Sequence, residues 1–139
     1  MRILRLVVCL CLFLLASMTA GAVEIIANRD VGVGRLTVTA ARAIFGMRQV
    51  KWPDGRLIRV FVLPDSHPLH GALCKERLNV YPYQLRQSWD RLVYSGMAQA
   101  PEEVASEAEL VARVAATPGA IGYAGKVQGN LPIKVIYVE

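Results

Sequence analysis

Two histidines and a cysteine lie in one short stretch of the chain and are the residues best suited to metal chemistry. His67, His70 and Cys74 are spaced i, i+3 and i+7, and Asp65 precedes them. A continuous helix would place the three along one face. Neutral imidazole and thiolate are good ligands for zinc or copper(I). The alternative is that Cys74 is a small core residue and that both histidines are exposed at a helix start. Because three loosely spaced ligands are a weak motif, we expect no metal and no cofactor.

The sequence contains no recognisable catalytic constellation. It has no nucleophile elbow and no H-E-x-x-H motif, and Gly32-x-Gly34 lacks the third glycine of a phosphate-binding fingerprint. Two acidic pairs, Glu102-Glu103 and Glu107-x-Glu109, are expected to support helix N-termini. We therefore expect no catalytic residues and no enzymatic activity, and a function based on binding.

The beginning of the chain has the three parts of a cleavable secretory signal. Arg2 and Arg5 provide positive charge, and Ile3–Leu15 is apolar apart from Arg5. Ala20-Gly21-Ala22 then supplies the small residues that signal peptidase requires. The apolar run is shorter than the ~20 residues of a spanning helix, which argues against an uncleaved anchor. We expect a signal peptide over residues 1–22, with cleavage after Ala20 as the second choice, and a periplasmic mature protein.

Residues 23–139 have the composition of one small domain. Removal of 22 of the 139 residues leaves 117, enough for a single buried core. Loss of the two signal arginines lowers the formal charge from +5 to +3. A surplus this small, without a basic run that interleaves aromatics, argues against a nucleic-acid partner. Cys74 alone remains, so no disulfide can form within the chain, and no second apolar run is long enough to span a membrane.

Strands and helices alternate along the mature chain and must position the His67 region between them. Four β-type runs are predicted, at Glu24–Asn28, Leu57–Leu63, Ile121–Tyr123 and Ile133–Val138. The run Leu57–Leu63 is apolar almost throughout, as in an interior strand covered on both faces. The alternation favours an α/β domain in which a mixed sheet forms the middle of a three-layer sandwich.

Helix signals separate these strands. Thr37 or Thr39 is expected to cap a helix through Phe45, which Gly46 ends in the left-handed conformation. A second helix is predicted from Pro68 to Leu78. A third follows Pro82 and ends at Gly96, and a fourth begins with a Ser106–Glu109 capping box and stops at Pro118-Gly119. The residues expected to face inward from the last two are Leu85, Trp89, Leu92, Val93, Leu110, Val111 and Val114.

Four segments, in this order, resemble the phosphate-binding proteins of ABC transporters. They are Leu36-Thr37 through Ile44-Phe45-Gly46, the turn Trp52-Pro53-Asp54-Gly55, the stretch Ser88-Trp89 through Tyr94-Ser95-Gly96, and Thr117-Pro118-Gly119-Ala120-Ile121-Gly122-Tyr123. The resemblance covers about residues 24–138. Members of that family bind phosphate between two lobes and are typically more than twice this length. The resemblance therefore implies one lobe of a type 2 periplasmic-binding-protein-like fold, with a membrane transporter or sensor as its partner.

The same resemblance implies an oxyanion site at the loop before the predicted second helix. The family places Ser-Gly-Thr at a helix start, where free N–H groups and the helix dipole hold an anion, with an arginine four residues earlier. Here the candidate ligand-binding residues are Ser66, His67, Pro68, Leu69 and His70, with Asn28 as a weaker addition. In either register the arginine is replaced, by Val62 or Leu63. Pro68 removes one donor and Asp65 adds negative charge, which predicts weak or lost phosphate binding.

Three functions remain open from the sequence. The first is a periplasmic solute-binding-like domain that binds a small oxyanion such as phosphate. The second is a protein-interaction or sensor-accessory module that no longer binds a solute. The third, least favoured, is a metal-binding protein that uses His67, His70 and Cys74.

Cleavage of the signal gives the first prediction. We expect the protein from the periplasmic fraction to begin at Val23, because Ala20-Gly21-Ala22 fits the peptidase pocket. Intact-mass measurement of that fraction reads the N-terminus directly. An intact Met1 in the membrane fraction would contradict both cleavage and a soluble product.

Overall fold

The structure is a computed structural model, and it describes residues 22–127 and 129–139. The expected signal segment therefore lies outside the described residues, apart from Ala22. Six strands are described: β1 (Glu24–Asn28), β2 (Arg35–Leu36), β3 (Arg59–Val62), β4 (Glu102–Glu103), β5 (Ala120–Ala124) and β6 (Ile133–Val138). The helices are α1 (Val38–Phe45), α2 (Pro68–Ala72), which continues as a π-helical turn (Leu73–Leu78), α3 (Pro82–Tyr94) and α4 (Glu107–Ala116).

The strands form one mixed sheet in the order β2-β6-β1-β5-β3-β4. β1 is antiparallel to both of its neighbours, with Ile26 opposite Gly122 on β5 and opposite Val135 on β6. β3 is parallel to β5, with Val60 aligned to Ile121. The carboxyl ends of β3 and β5 therefore lie at the same edge as the start of β1. The mixed sheet confirms the predicted α/β class.

Helix α4 covers one face of the sheet through a close contact with β5. A Cβ on Gly122 would lie 2.6 Å from Leu110 Cδ2 and 3.0 Å from Val114 Cγ2, so only glycine lets the helix approach this closely. Leu110 and Val114 are completely buried. Both were predicted to face inward, and the contact with Gly122 shows what they pack against.

The opposite face of the sheet is covered by the other three helices. Trp89 of α3 is buried and donates its indole N–H to the carbonyl of Phe45 at the end of α1, at 2.7 Å. The Phe45 ring packs edge-on against Tyr123 of β5, with ring centroids 6.0 Å apart. Helices on both faces make the three layers that the alternation of elements predicts.

Two helix starts follow the predicted capping chemistry. Thr37 Oγ1 accepts the N–H of Ala40 at 3.0 Å, so Thr37 rather than Thr39 caps α1. Ser106 Oγ accepts the N–H of Glu109 at 3.2 Å. The predicted helix 68–78 is present but changes to π-helical hydrogen bonding at Leu73, and Asn79 ends it in the left-handed region at φ 54°.

Gly46 ends α1 for a different reason from the predicted one. Its φ is −78°, which any residue can adopt, and the following Met47 takes the left-handed conformation instead, at φ 62°. A Cβ on Gly46 would lie 2.8 Å from the carbonyl oxygen of Arg42. Close approach, not backbone conformation, therefore makes a side chain unfavourable at Gly46.

Two further expectations are wrong. Val93, in the last turn of α3, is 46% exposed rather than inward-facing. The pair Glu102-Glu103 forms β4 rather than supporting a helix N-terminus, and it pairs with the outer side of β3. Glu102 bridges Arg59 and Arg113, so its charge is used to join the edge of the sheet to α4.

Among the described residues, no helix is long and apolar enough to cross a membrane.

The anchoring role of Trp89 gives the second prediction. Trp89→Ala should lower the free energy of unfolding by about 3–5 kcal/mol, the usual cost of truncating a buried large aromatic. The matched control is Tyr94→Ala on the same helix, where the side chain is 90% exposed. That variant should stay within about 0.5 kcal/mol of the parent. Equal losses in chemical denaturation of the two variants would contradict the packing described for α3.

Candidate functional site

The loop of residues 64–67 leaves the carboxyl end of β3 and is anchored to the neighbouring strand. Leu63 donates its backbone N–H to the hydroxyl of Tyr123 at 2.7 Å. Both residues are completely buried. In α/β sheets, ligands bind outside the carboxyl ends of parallel strands. The loop that carries Ser66 and His67 therefore lies at the edge where a ligand is expected.

His67 accepts the backbone N–H groups at the start of α2 that were expected to bind an anion. It is the N-cap of α2, and its Nδ1 accepts the N–H of Leu69 at 3.1 Å. The carbonyl of His67 accepts the N–H of His70 at 3.0 Å. Pro68 has no N–H to give. The first three helical positions consequently offer no free backbone donor.

An arginine that the sequence analysis missed is brought to this loop by α3. Arg86 makes two parallel bonds to Asp65, from Nε to Oδ2 and from Nη2 to Oδ1, both at 3.0 Å. The hydrogen bond with Asp65 raises the pKa of Arg86. The guanidinium also lies over the Trp89 ring, 5.0 Å from its centroid. The one signal in the sequence for this contact is that Arg86 precedes the buried Trp89 by three residues, which places the two side chains on neighbouring parts of one helix face.

His70 is completely buried beneath the loop, which corrects the alternative that both histidines are exposed. Its Nδ1 lies 2.6 Å from the hydroxyl of Tyr123. Nε2 of the same ring faces the carboxylate of Asp65, an acceptor, with Oδ1 at 3.6 Å. The neutral ring therefore carries its proton on Nε2, and Nδ1 accepts the hydroxyl proton of Tyr123. Burial lowers the pKa of His70 below its usual 6.5, although the charge of Asp65 opposes this effect.

Cys74 is a buried thiol in contact with the same ring. Its Sγ lies 3.8 Å from Nε2 of His70, and burial raises its pKa to about 12. A thiol that resists ionisation is a poor metal ligand, since the thiolate is the binding form. His67 Nδ1 and His70 Nδ1 are both engaged by other partners. Within residues 22–127 and 129–139, no group of three such side chains has the arrangement of a metal site.

The rest of this edge is rich in carboxylates. Glu107 accepts the N–H of Gly125, just after β5, at 2.9 Å. The side chain of Leu69 lies beside Gly125, since a Cβ there would be 3.5 Å from Leu69 Cδ2. Glu103, at the end of β4, is exposed at the same edge. One more backbone N–H that could bind an anion is therefore occupied, and Glu103 and Glu107 add negative charge at this edge.

Asn28 lies at the opposite edge of the sheet from this loop, because β1 runs antiparallel to β3 and β5. Its side-chain amide donates to the carbonyls of Val114 and Ala115, both at 3.1 Å. Its Oδ1 accepts the N–H of Asp30 at 3.1 Å. These bonds join the end of β1 to the end of α4. The structure thus brings Ser66, His67, Pro68, Leu69 and His70 together and places Asn28 apart from them.

Sequence comparison finds no relative: no family model and no curated protein matches the chain. Comparison of structures does find similar proteins. An ABC-type phosphate transport receptor from Vibrio cholerae is 14% identical with a TM-score of 0.62, over 84% of this chain and 46% of the receptor. PstS from Borrelia burgdorferi is 16% identical with a TM-score of 0.62, over 84% of this chain and 47% of PstS. A phosphate ABC transporter substrate-binding protein from Clostridium perfringens, solved with bound phosphate, is 15% identical with a TM-score of 0.64.

The chain spans less than half the length of these neighbours, while most of the chain is matched. At this level of identity the likeness concerns the fold. The described domain has the architecture of one lobe of a phosphate-binding protein of an ABC transporter, as the sequence motifs imply.

Proposed function

We propose that this chain is an exported, periplasmic solute-binding-like domain that acts by binding rather than catalysis, and that its oxyanion site is weak. The observation that carries the proposal is the position of the loop 64–67 and α2 beyond the carboxyl ends of β3 and β5. The likeness to phosphate-binding proteins supports phosphate as the first ligand to test. A membrane transporter or sensor is the partner that such a domain would serve.

The contacts of the loop support weak rather than tight capture. Leu69 and His70 already donate their N–H groups to His67. Arg86 is neutralised by Asp65 through two hydrogen bonds. An incoming oxyanion must therefore compete with Asp65 for the guanidinium of Arg86. Asp65 and Ser66 are also exposed, so charge interactions with a bound anion are weakened by water.

A specific surface favours the second candidate function, a protein-interaction module. Tyr94 and Met97 are 90% and 78% exposed, and the half-exposed Val93 adjoins them at the end of α3. Exposed large apolar side chains that lie together indicate contact with another protein more often than single ones do. In that function, capture of an envelope protein would depend on Tyr94 and Met97 and would not depend on Ser66 or His67.

Phosphate titration gives the third prediction. At pH 8 the parent protein should bind phosphate weakly or not at all in calorimetry. Asp65→Asn removes the negative charge and releases Arg86, so it should strengthen binding by about tenfold, the equivalent of one hydrogen bond to a charged group. The matched control is Asp54→Asn in the turn before β3, at the opposite edge, which removes a carboxylate from Arg56 while Asp30 stays paired with it.

The outcomes separate the candidate functions. Micromolar binding by the parent at pH 8 would refute the weak site and favour a plain transport role. Binding only at pH 6, lost in His67→Ala, would indicate a site that depends on histidine charge. No binding by either the parent or Asp65→Asn would leave the interaction module as the better account.

Acid sensitivity gives the fourth prediction. The folded state holds His70 with a lowered pKa, so below pH 6.5 the unfolded chain binds more protons than the folded one. The free energy of unfolding should therefore fall as the pH falls from 6.5 towards the folded-state pKa of His70. Denaturation at pH 7.5 and 5.5 should show a smaller loss in His70→Gln than in the parent. His67→Gln, at a partly exposed position, should keep the loss of the parent, and equal losses in all three proteins would contradict the burial of His70.

A further inference from the structure

A second concave site lies between the end of α1 and α3. It has a volume of about 340 Å³, at the low end for small-molecule pockets. We call it the arginine pocket, and its lining residues are Arg42, Gly46, Arg48, Val80, Gln84, Leu85, Ser88, Arg91 and Leu92. None of these residues belongs to the loop that carries Ser66 and His67. The pocket is therefore a separate site and is independent of the proposed oxyanion function.

Three arginines converge on this pocket without a carboxylate. Arg42, Arg48 and Arg91 line it, and no acidic residue does. Five of the seven other arginines of the described chain are paired with carboxylates within 4.0 Å, and the exceptions are Arg29 and Arg77. The three pocket arginines make no such pair among residues 22–127 and 129–139. Their charge equals the whole formal surplus of +3 in residues 23–139. Like charges held together repel, and a bound anion relieves that repulsion.

The floor of the pocket is preorganised by short contacts. Arg42 donates its Nε to the carbonyl of Leu78 at 3.0 Å, which fixes the guanidinium beside the pocket. Ser88 donates its hydroxyl to the carbonyl of Gly46 at 3.1 Å. A Cβ on Gly46 would lie 3.6 Å from Ser88 Oγ and 3.7 Å from Arg48 Nε. The missing side chain of Gly46 thus keeps open the space between these polar groups.

The remaining walls are aliphatic. Val80 precedes α3, and Leu85 and Leu92 line the pocket from α3 itself. Inorganic phosphate alone would leave this apolar lining in contact with water. A ligand that places an anionic group on the arginines and an apolar body on these side chains satisfies both parts of the surface. Guanidinium groups bind carboxylate and phosphate oxygens through paired hydrogen bonds.

From this combination we propose that the arginine pocket binds a small organic anion, with a carboxylate or phosphate group joined to a compact apolar body. Gln84 adds a neutral side-chain amide beside the arginines, whereas the hydroxyl proton of Ser88 is already donated to Gly46. Affinity falls as salt rises, because much of the attraction is electrostatic. The anionic group alone, or the apolar body alone, binds more weakly than the two together.

The test uses the purified protein at low salt and phenyl phosphate as the probe. Calorimetry should show saturable binding, about tenfold tighter than inorganic phosphate because the ring is buried against the aliphatic walls, and none for benzyl alcohol. The double variant Arg48→Gln/Arg91→Gln changes two exposed side chains and should weaken binding at least about tenfold. The matched control, Arg29→Gln/Lys51→Gln, removes two exposed charges outside the pocket and should bind like the parent.

A second measurement locates the bound probe. In two-dimensional amide NMR, phenyl phosphate should shift the signals of Leu85, Ser88 and Leu92 and leave Leu69 unchanged. The proposal is overturned if phenyl phosphate does not bind, if inorganic phosphate binds as tightly, or if both double variants lose affinity equally. It is also overturned if the protein binds phosphatidylglycerol vesicles but not the soluble probe, since the occupant would then be a membrane surface.

Discussion

The hydroxyl of Tyr123 is the contact on which the arrangement of the loop depends. It accepts the N–H of Leu63 and donates to Nδ1 of His70, and so joins β5, the end of β3 and α2 in one buried group. Burying these polar groups unpaired would cost about twice what each bond contributes to stability. No buried side-chain nitrogen or oxygen is left without a partner among the described residues. The loop is consequently held in one position by satisfied bonds beneath it.

Satisfaction of polar groups is also the reason for proposing a weak oxyanion site. The loop has the position of a ligand site, but its groups are used by the chain itself. His67 takes the N–H of Leu69, and Arg86 is held by Asp65. Glu107 takes the N–H of Gly125 nearby. An anion that binds here must replace hydrogen bonds that already exist within the chain. Its binding free energy is then only the difference between two similar sets of hydrogen bonds.

Much of the fold could be predicted from local patterns. The caps at Thr37 and Ser106 depend on a single hydroxyl and a neighbouring N–H, so the sequence displays them. The strand β1 was predicted with its observed bounds, because its apolar residues are consecutive. The two-residue strands β2 and β4 were missed, since each is defined by its pairing partner rather than by its own residues.

The candidate site was harder to predict than the fold. Its loop was located by motif order, but the roles of its residues depend on contacts between distant segments. Arg86 lies 21 positions from Asp65, and His70 lies 53 positions from Tyr123. No spacing rule links such pairs. The spacing of His67, His70 and Cys74 suggested one shared face, but His67 turned out to be a cap and His70 a core residue.

The most direct test of the central claim is a phosphate titration followed by amide NMR at pH 8. The amide signal of Leu69 reports whether the helix start is open to an anion. If His67 occupies that donor, the signal should move no more than those of exposed residues far from the loop. A large, saturable shift of Leu69 together with Ser66 would contradict the account, since it would show that phosphate displaces the imidazole and uses the helix start.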